Sequence, residues 1–305
     1  MTPVLLIAFN RPETTCVVFE YIRRAKPQKL YVALDGARDD KPYEDIVCQE
    51  VRKIVERVDW DCEVHYKINE KNLGAEITVS EAIKWMFETE EYGIILEDDI
   101  VAPLSFFRFA QEMLVKYEND NRFSTVTSNN STPIPLPNNE DYFFARYGHS
   151  WGWATWKREY GDFDLNTEIK EEHTDIEFLR KRTNSEKEAR YYQHLFTHLR
   201  SLGVGHVTWD YIALYRHFIR GKLSIIPRVN LSSNIGVLGL HARGETNSHY
   251  REFDPNFLVK KHPEKVECNV EFDKYHFEKH ICRNQHSLLY RALRKFVRLL
   301  NKKFN

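Results

Sequence analysis

The strongest constraint on this chain is the way short apolar runs alternate with helical stripes through residues 1–130. Val4, Leu5, Leu6, Ile7, Ala8 and Phe9 form an unbroken run of strand length, and Val17, Val18, Tyr21 and Ile22 then recur at helical spacing. Residues 30–34 repeat the apolar run, followed by a stripe of Ile46, Val47, Val51, Ile54, Val55 and Val58. Cys62, Val64 and Tyr66 alternate as in a strand, ahead of Ile77, Ala82, Ile83, Met86 and Phe87 at helical spacing. Gly93-Ile94-Ile95-Leu96 closes the series before Pro103 and a helix rich in Phe106, Phe107 and Phe109. Strands that are apolar throughout are buried on both faces, so the alternation predicts an α/β fold. Its sheet is mixed and mostly parallel, flanked by helices. Ligands of such sheets sit beyond the carboxyl ends of the strands. Asn10-Arg11, Asp35-Gly36 and Glu97-Asp98-Asp99 all fall there and mark one edge as the functional one.

The text changes after residue 130. Thr132 to Pro137 reads as a loop, Trp151-Gly152-Trp153-Ala154-Thr155-Trp156 is very aromatic, and 166–200 reads as a charged helical region. Residues 209–226 return to apolar character, and 230–250 read as a polar, glycine-containing loop. The expected organisation is a first half over 1–130, a second half of the same domain over 131–255 and a C-terminal extension over 256–305. At 305 residues the chain is long enough to hold a core without disulfides. Its five cysteines (16, 48, 62, 268 and 282) have no CxxC spacing and read as reduced thiols of a cytoplasmic protein.

The net charge of −1 conceals an asymmetry. No carboxylate follows Glu278, while eight Lys or Arg do, which leaves 36 basic against 45 acidic residues in the body of the chain. An acidic body argues against nucleic acid as a partner, because that needs a basic folded face. Residues 287–305 carry Leu289, Leu293, Phe296, Val297, Leu300 and Phe304 on one stripe, with basic residues between. Such a helix can lie in a membrane interface at the inner face, or pack on the acidic body.

Three adjacent carboxylates at a strand end repel one another and call for a cation, unless they are a solvated loop or cap a helix. Oxygen-only ligands select a hard ion, Mn2+ or Mg2+, usually shared with a phosphate-bearing substrate. The chain has no GxxxxGK[ST] loop, no GxGxxG after a strand and no HExxH. P-loop kinases, Rossmann dehydrogenases and zincins are thereby disfavoured.

The segment Ile94-Ile95-Leu96-Glu97-Asp98-Asp99-Ile100-Val101-Ala102-Pro103 resembles the acidic-motif segment of GT-A fold inverting glycosyltransferases. It is most similar to the N-acetylglucosaminyltransferase I family and its bacterial relatives. Phe9-Asn10-Arg11-Pro12, Leu34-Asp35-Gly36, Lys71-Asn72-Leu73-Gly74 and His149 to Trp156 resemble further segments of those proteins. The resemblance covers roughly residues 3–250. It implies a sugar moved from a UDP-linked donor, GlcNAc or another hexose, to a hydroxyl of a glycan or lipid-linked glycan, as in bacterial surface polysaccharide synthesis. By position, Asp99 would bind the metal, Asp98 would lie near the ribose or a metal-bound water, and Glu97 would face the donor sugar. Phe9, Asn10 and Arg11 would approach the nucleotide, Asp35 the base, and Asn72 and Gly74 the donor.

Inverting transfer also needs a carboxylate base. Asp210, in Thr208-Trp209-Asp210-Tyr211, resembles that base and is also placed to cap a helix; Asp162 and Asp164 are the other candidates. Trp151, Trp153 and Trp156 suit either a sugar-stacking wall or a core, with Trp151 and Gly152 expected at the acceptor site and Trp156 inside. A late histidine on the metal falls to His249, with His241 as the alternative and Arg243 a candidate phosphate contact. Two other classes meet the same residues: a metal-dependent sugar-nucleotide hydrolase or phosphodiesterase, and a non-catalytic glycan-binding module.

Overall fold

A computed structural model describes residues 2–130, 132, 139–236 and 250–282. The first strand, β1 (Val4–Ala8), is buried along its whole length and leads into α1 (Pro12–Ala25). Pro12 pre-sets the helical φ at the first position and Glu13 faces the positive helix end. β2 (Lys29–Leu34), α2 (Glu44–Val55), β3 (Glu63–Ile68), α3 (Ala75–Thr89) and β4 (Tyr92–Glu97) continue the alternation. A two-residue strand β5 (Ile100–Val101) and α4 (Leu104–Lys116) follow, then β6 (Phe123–Thr127), β7 (Tyr142–Ala145) and β8 (Trp153–Trp156). After α5 (Lys157–Tyr160), α6 (Ile176–Arg180) and α7 (Glu186–Leu202) come α8 (Trp209–Ile219), β9 (Leu223–Pro227), β10 (Ser233–Asn234) and α9 (Val270–His276).

Eight strands form one sheet in the order β3-β2-β1-β4-β8-β6-β9-β7. β3, β2, β1 and β4 run parallel, β8 lies antiparallel between β4 and β6, β9 is parallel to β6, and β7 closes the far edge antiparallel. This is the mixed, mostly parallel α/β class that the apolar runs predict. Helices cover both faces. Val18, Ile22, Val51, Phe106 and Met113 pack on one side, and Val79, Ile83, Phe87, Tyr192, Phe196 and Ile212 on the other.

Two features of the later chain sharpen the sequence reading. The aromatic segment is partly a strand: Trp153 and Trp156 lie in β8 at 3% and 1% exposure, and Trp156 Nε1 donates to the Leu114 carbonyl at 3.0 Å. Those two rings are core, so no wall of three tryptophans faces solvent. The charged region is helical, as two separate helices, α6 and α7. α7 is capped at its N-terminus by Ser185, whose Oγ accepts from Glu188 N at 3.2 Å. All five cysteines are free thiols. Among the described residues no helix is long and apolar enough to cross a membrane. The basic stripe of 287–305 lies outside them.

Candidate active site

Parallel pairing brings the carboxyl ends of β1, β2 and β4 together, with Ala8 opposite Leu34 and Ile7 opposite Glu97. Everything that follows these strands therefore emerges on one edge. Asp98 is buried, and its Oδ2 accepts from the backbone N of Phe9 at 3.2 Å. Its Oδ1 pairs with the Arg11 guanidinium, and the other terminal nitrogen of Arg11 reaches Asp99 Oδ2 at 2.7 Å. Burial pushes the Asp98 carboxyl up to about 6, against the pull of Arg11.

Glu97 is half-buried, and its carboxylate accepts no hydrogen bond among the described residues. Burial, reinforced by Asp99 and Asp98, pushes its carboxyl up to about 8; Asp210 adds to the same effect. Asp210 thus contributes to the electrostatics of Glu97, although 113 residues separate them in the sequence. Its position follows from packing. Trp209 stacks on Trp153 with centroids 6.4 Å apart, and Trp153 pairs with Ile95 of β4. Glu76, in the first turn of α3, accepts from Trp209 N at 2.8 Å and so caps α8 from another helix. Asp210 is exposed, and Thr208 Oγ1 and Tyr211 N both donate to its Oδ1.

The edge next to β1 is built around Asp35. This buried carboxylate accepts from Gly36 N, Leu73 N and Asn69 Nδ2 on Oδ1, and from Gly74 N and Asn72 Nδ2 on Oδ2. It thus gathers the whole β3–α3 loop onto the end of β2. Gly36 permits the approach, because a Cβ there would stand 2.5 Å from the Lys71 carbonyl carbon. On the other side Asn10 Nδ2 donates to Glu44 Oε1 at 2.8 Å, and Glu44 pairs with Arg38. That pairing holds the Glu44 carboxyl below its usual range. The Arg38 guanidinium lies 5.6 Å from the centre of the Phe9 ring. Sequence reasoning missed Arg38, Glu44, Asn69 and Glu76. Arg38 stands two positions after Asp35-Gly36, which is the one signal that points to it.

Gly152 sits beside these elements with φ +75°, and a Cβ on it would meet Ser128 Oγ at 2.9 Å and Leu96 at 3.4 Å. The Trp151 carbonyl is held by Ser128 Oγ and Ser232 Oγ, and its ring packs half-buried on the core. The other base candidates are engaged elsewhere. Asp162 pairs with Arg216 and Arg220, and Asp164 Oδ1 accepts from Asn166 N in its own turn. His249, His241 and Arg243 lie outside the described residues.

Among the described residues, no group of three or more carboxylate, histidine or cysteine side chains converges as a ready metal cage. The donor chemistry nevertheless fits a hard divalent ion held jointly with waters and phosphate oxygens. Asp99 Oδ1 accepts no hydrogen bond among the described residues, and a Cβ on Gly236 would stand 2.6 Å from Asp99 Oδ2. A side chain there would fill the space against the carboxylate. Ile235 N donates to the Asp99 carbonyl at 2.8 Å and β10 pairs with β5, so the chain passes directly over this acid.

The chain matches no family model and no curated protein. Solved structures that it resembles include TarS 1–349 from S. aureus, at 9% identity and TM-score 0.42, over 76% of this chain and 60% of that one. A second is the mannosyltransferase PcManGT from Pyrobaculum calidifontis in complex with GDP-Man and Mn2+, at 14% identity and TM-score 0.36. That likeness covers 52% of this chain and 45% of PcManGT. A third is HddC from Yersinia pseudotuberculosis, at 14% identity and TM-score 0.34, over 53% of this chain and 80% of that one. None of these likenesses identifies a reaction for this chain.

Proposed function

We propose that this protein is a metal-dependent inverting glycosyltransferase of GT-A type, moving a sugar from a nucleotide donor, UDP-linked, to a hydroxyl of a glycan. The observation that carries the reading is the pairing of two acidic features across one strand edge. Asp98 and Asp99, bridged by Arg11, stand at the end of β4, and Asp210, in the first turn of α8, adds to the rise of the Glu97 carboxyl. Mn2+ or Mg2+ held at Asp99 would supply positive charge to the diphosphate as it leaves. His249 remains a proposed further ligand.

The chain's own residues divide the rest of the work. Arg11 balances the acids and supplies donors to a diphosphate. Phe9, Asn10 and the loop of Asn72 and Gly74 border the nucleotide, with Glu97 and Asp98 toward the sugar and ribose. Asp210 takes the proton of the acceptor hydroxyl while that oxygen bonds to the anomeric carbon. The bond from that carbon to the diphosphate oxygen breaks on the opposite face, and its electron pair leaves with the nucleotide, so configuration inverts. Trp151 and Gly152 border the acceptor. The glycan or lipid-linked glycan acceptor, the 1–130 and 131–255 halves, and membrane contact through 287–305 belong to the same proposal.

A thermal-shift panel of nucleoside diphosphates and nucleotide sugars, with and without Mn2+, tests it on wild type and Asp99→Ala. Ligands of the native state raise the melting temperature by mass action. A rise with a UDP compound that needs Mn2+ and vanishes in Asp99→Ala supports the proposal. No response to any nucleotide sinks it. Sugar release into water that no glycan increases would move the assignment to a hydrolase.

A further inference from the structure

Thr208 stands at the N-cap of α8 but makes no capping bond. In that place a threonine hydroxyl ordinarily accepts from a backbone N–H two or three residues on. Here Thr208 Oγ1 donates to Asp210 Oδ1 instead. The cap comes from α3. Glu76, in its first turn, accepts from Trp209 N at 2.8 Å across 133 residues of sequence. The first N–H groups of a helix have no partner within it, so the carboxylate that satisfies one of them leaves the threonine hydroxyl free. Thr208 Oγ1 and Tyr211 N then both hold Asp210 Oδ1. Asp210 is exposed, and its Oδ2 accepts no hydrogen bond among the described residues. The frame around this bond is packed. Val79 and Ile83 of α3 share a buried cluster with Trp209 and Ile212 of α8, and Trp209 stacks on Trp153.

We infer that Glu76 is a positioning residue for the proton acceptor: by capping α8 from α3 it frees the Thr208 hydroxyl to fix Asp210, which leaves Oδ2 for the acceptor hydroxyl. The inference rests on the transferase reading above and adds to it the residues that aim the base. Without Glu76, the open helix end would compete for the oxygens of Thr208 and Asp210. A misplacement of about 1 Å can cost a reaction about 100-fold. Glu76 also follows directly on Leu73 and Gly74, whose backbone N–H groups bind Asp35. One helix start thus borders the donor loop and sets the base.

The first measurement needs no substrate. Amide exchange is followed along α8 in wild type, Glu76→Ala, Glu76→Gln and Glu81→Ala. Trp209 N reports the cap and Tyr211 N the hold on Asp210. Glu76→Ala should speed exchange at both by about tenfold or more, while Tyr215 to Phe218 keep wild-type protection. Glu76→Gln retains an acceptor oxygen and should restore both amides. Glu81, exposed on the same helix and paired with Lys67, is the control, and Glu81→Ala should change neither. Thr208→Val removes the hold from the other side, so it should open Tyr211 alone; this variant carries the test if Glu76→Ala does not fold.

The second measurement follows UDP released from UDP-glucose or UDP-N-acetylglucosamine, with Mn2+ and with water as the acceptor. Glu76→Ala should lower kcat about 10- to 100-fold and leave donor affinity within about twofold of wild type. Glu76→Gln should recover most of that loss. In an Asp210→Asn background, Glu76→Ala should cost less than about twofold more, because residues that act as a unit are not additive. A merely structural role lowers kcat equally in both backgrounds, and that result overturns the inference. Unchanged exchange at Tyr211 in Glu76→Ala or Thr208→Val also overturns it, as does a folded Glu76→Gln without recovery. A wild type that binds neither nucleotide sugar, or binds one and releases no UDP, removes the transferase reading and this inference together. Turnover that Asp210→Asn abolishes and Glu76→Ala leaves intact removes only the inference.

Discussion

Arg11 Nη1 stands 2.7 Å from Asp99 Oδ2 while Nη2 of the same guanidinium pairs with buried Asp98. One side chain thus bridges two acids that would otherwise repel and offsets one of their two charges. Arg11→Gln leaves Asp98 with a single backbone donor and no countercharge. Stability should fall by about 1–3 kcal/mol, the range for removing one partner of a partly buried charged hydrogen bond. Mn2+ should recover more of that loss in Arg11→Gln than it adds to wild type, because the vacated charge is the one it replaces. Urea denaturation with and without Mn2+ measures both, and an equal Mn2+ increment in the two proteins would refute the compensation.

The Glu97 carboxyl is pushed up to about 8 by burial and its acidic neighbours. In the unfolded chain a glutamate titrates near about 4.3. Between those values the native state holds a proton that the unfolded state has released. Stability therefore falls as pH rises through that window and levels off above it. Glu97→Gln cannot release the proton, so its melting temperature should gain on that of wild type steadily between about pH 4.3 and about pH 8. A constant difference across the window would show that Glu97 titrates normally. Asp98, pushed up to about 6, contributes a slope common to both proteins over the lower half.

The parts of this site that are legible in sequence are those made by buried strands. Residues 4–8, 30–34 and 94–96 are buried on both faces, so their apolar runs are continuous and their polar successors stand out. β8 is a different matter. Trp153-Ala154-Thr155-Trp156 is a central strand because it pairs antiparallel with β4 and β6, from chain about 60 and 30 residues away, and nothing local separates that from an aromatic platform. Asp35 shows the same limit on the functional side. Its residue type and place after β2 mark it as important, but four of its five donors come from residues 69–74. Only the folded loop reveals that the carboxylate is full. The Arg11 pairing likewise spans 87 and 88 residues.

Asp210 is exposed, and its hydrogen bonds are local ones to Thr208 and Tyr211. Asp210→Asn should change stability by less than about 0.5 kcal/mol, as for a surface substitution. Donor affinity should also hold. With the proton acceptor gone, kcat should drop about 100- to 10,000-fold. Steady-state kinetics on the donor that the thermal-shift panel selects, together with calorimetry, separates these effects. Loss of donor affinity equal to the loss of kcat would assign Asp210 to donor binding instead.

Gly36 carries the approach of two loops. Lys71 backbone atoms would lie 2.5–2.7 Å from a Cβ at this position, and backbone cannot move aside as a flexible side chain can. Asn72 Nδ2 also donates to the Gly36 carbonyl, so displacing either strand end disturbs the bond that orients its amide. Gly36→Ala should therefore cost about 1–3 kcal/mol, the range for overpacking. Nucleotide affinity should fall for every base at once, because the loop of residues 69–74 moves as a unit with its four bonds to Asp35 loosened. Hydrogen exchange should localise the change to the amides of Leu73 and Gly74, which donate to Asp35. If Gly36→Ala folds with wild-type protection at those two amides and wild-type affinity for UDP, the close approach of the loops has no part in donor binding.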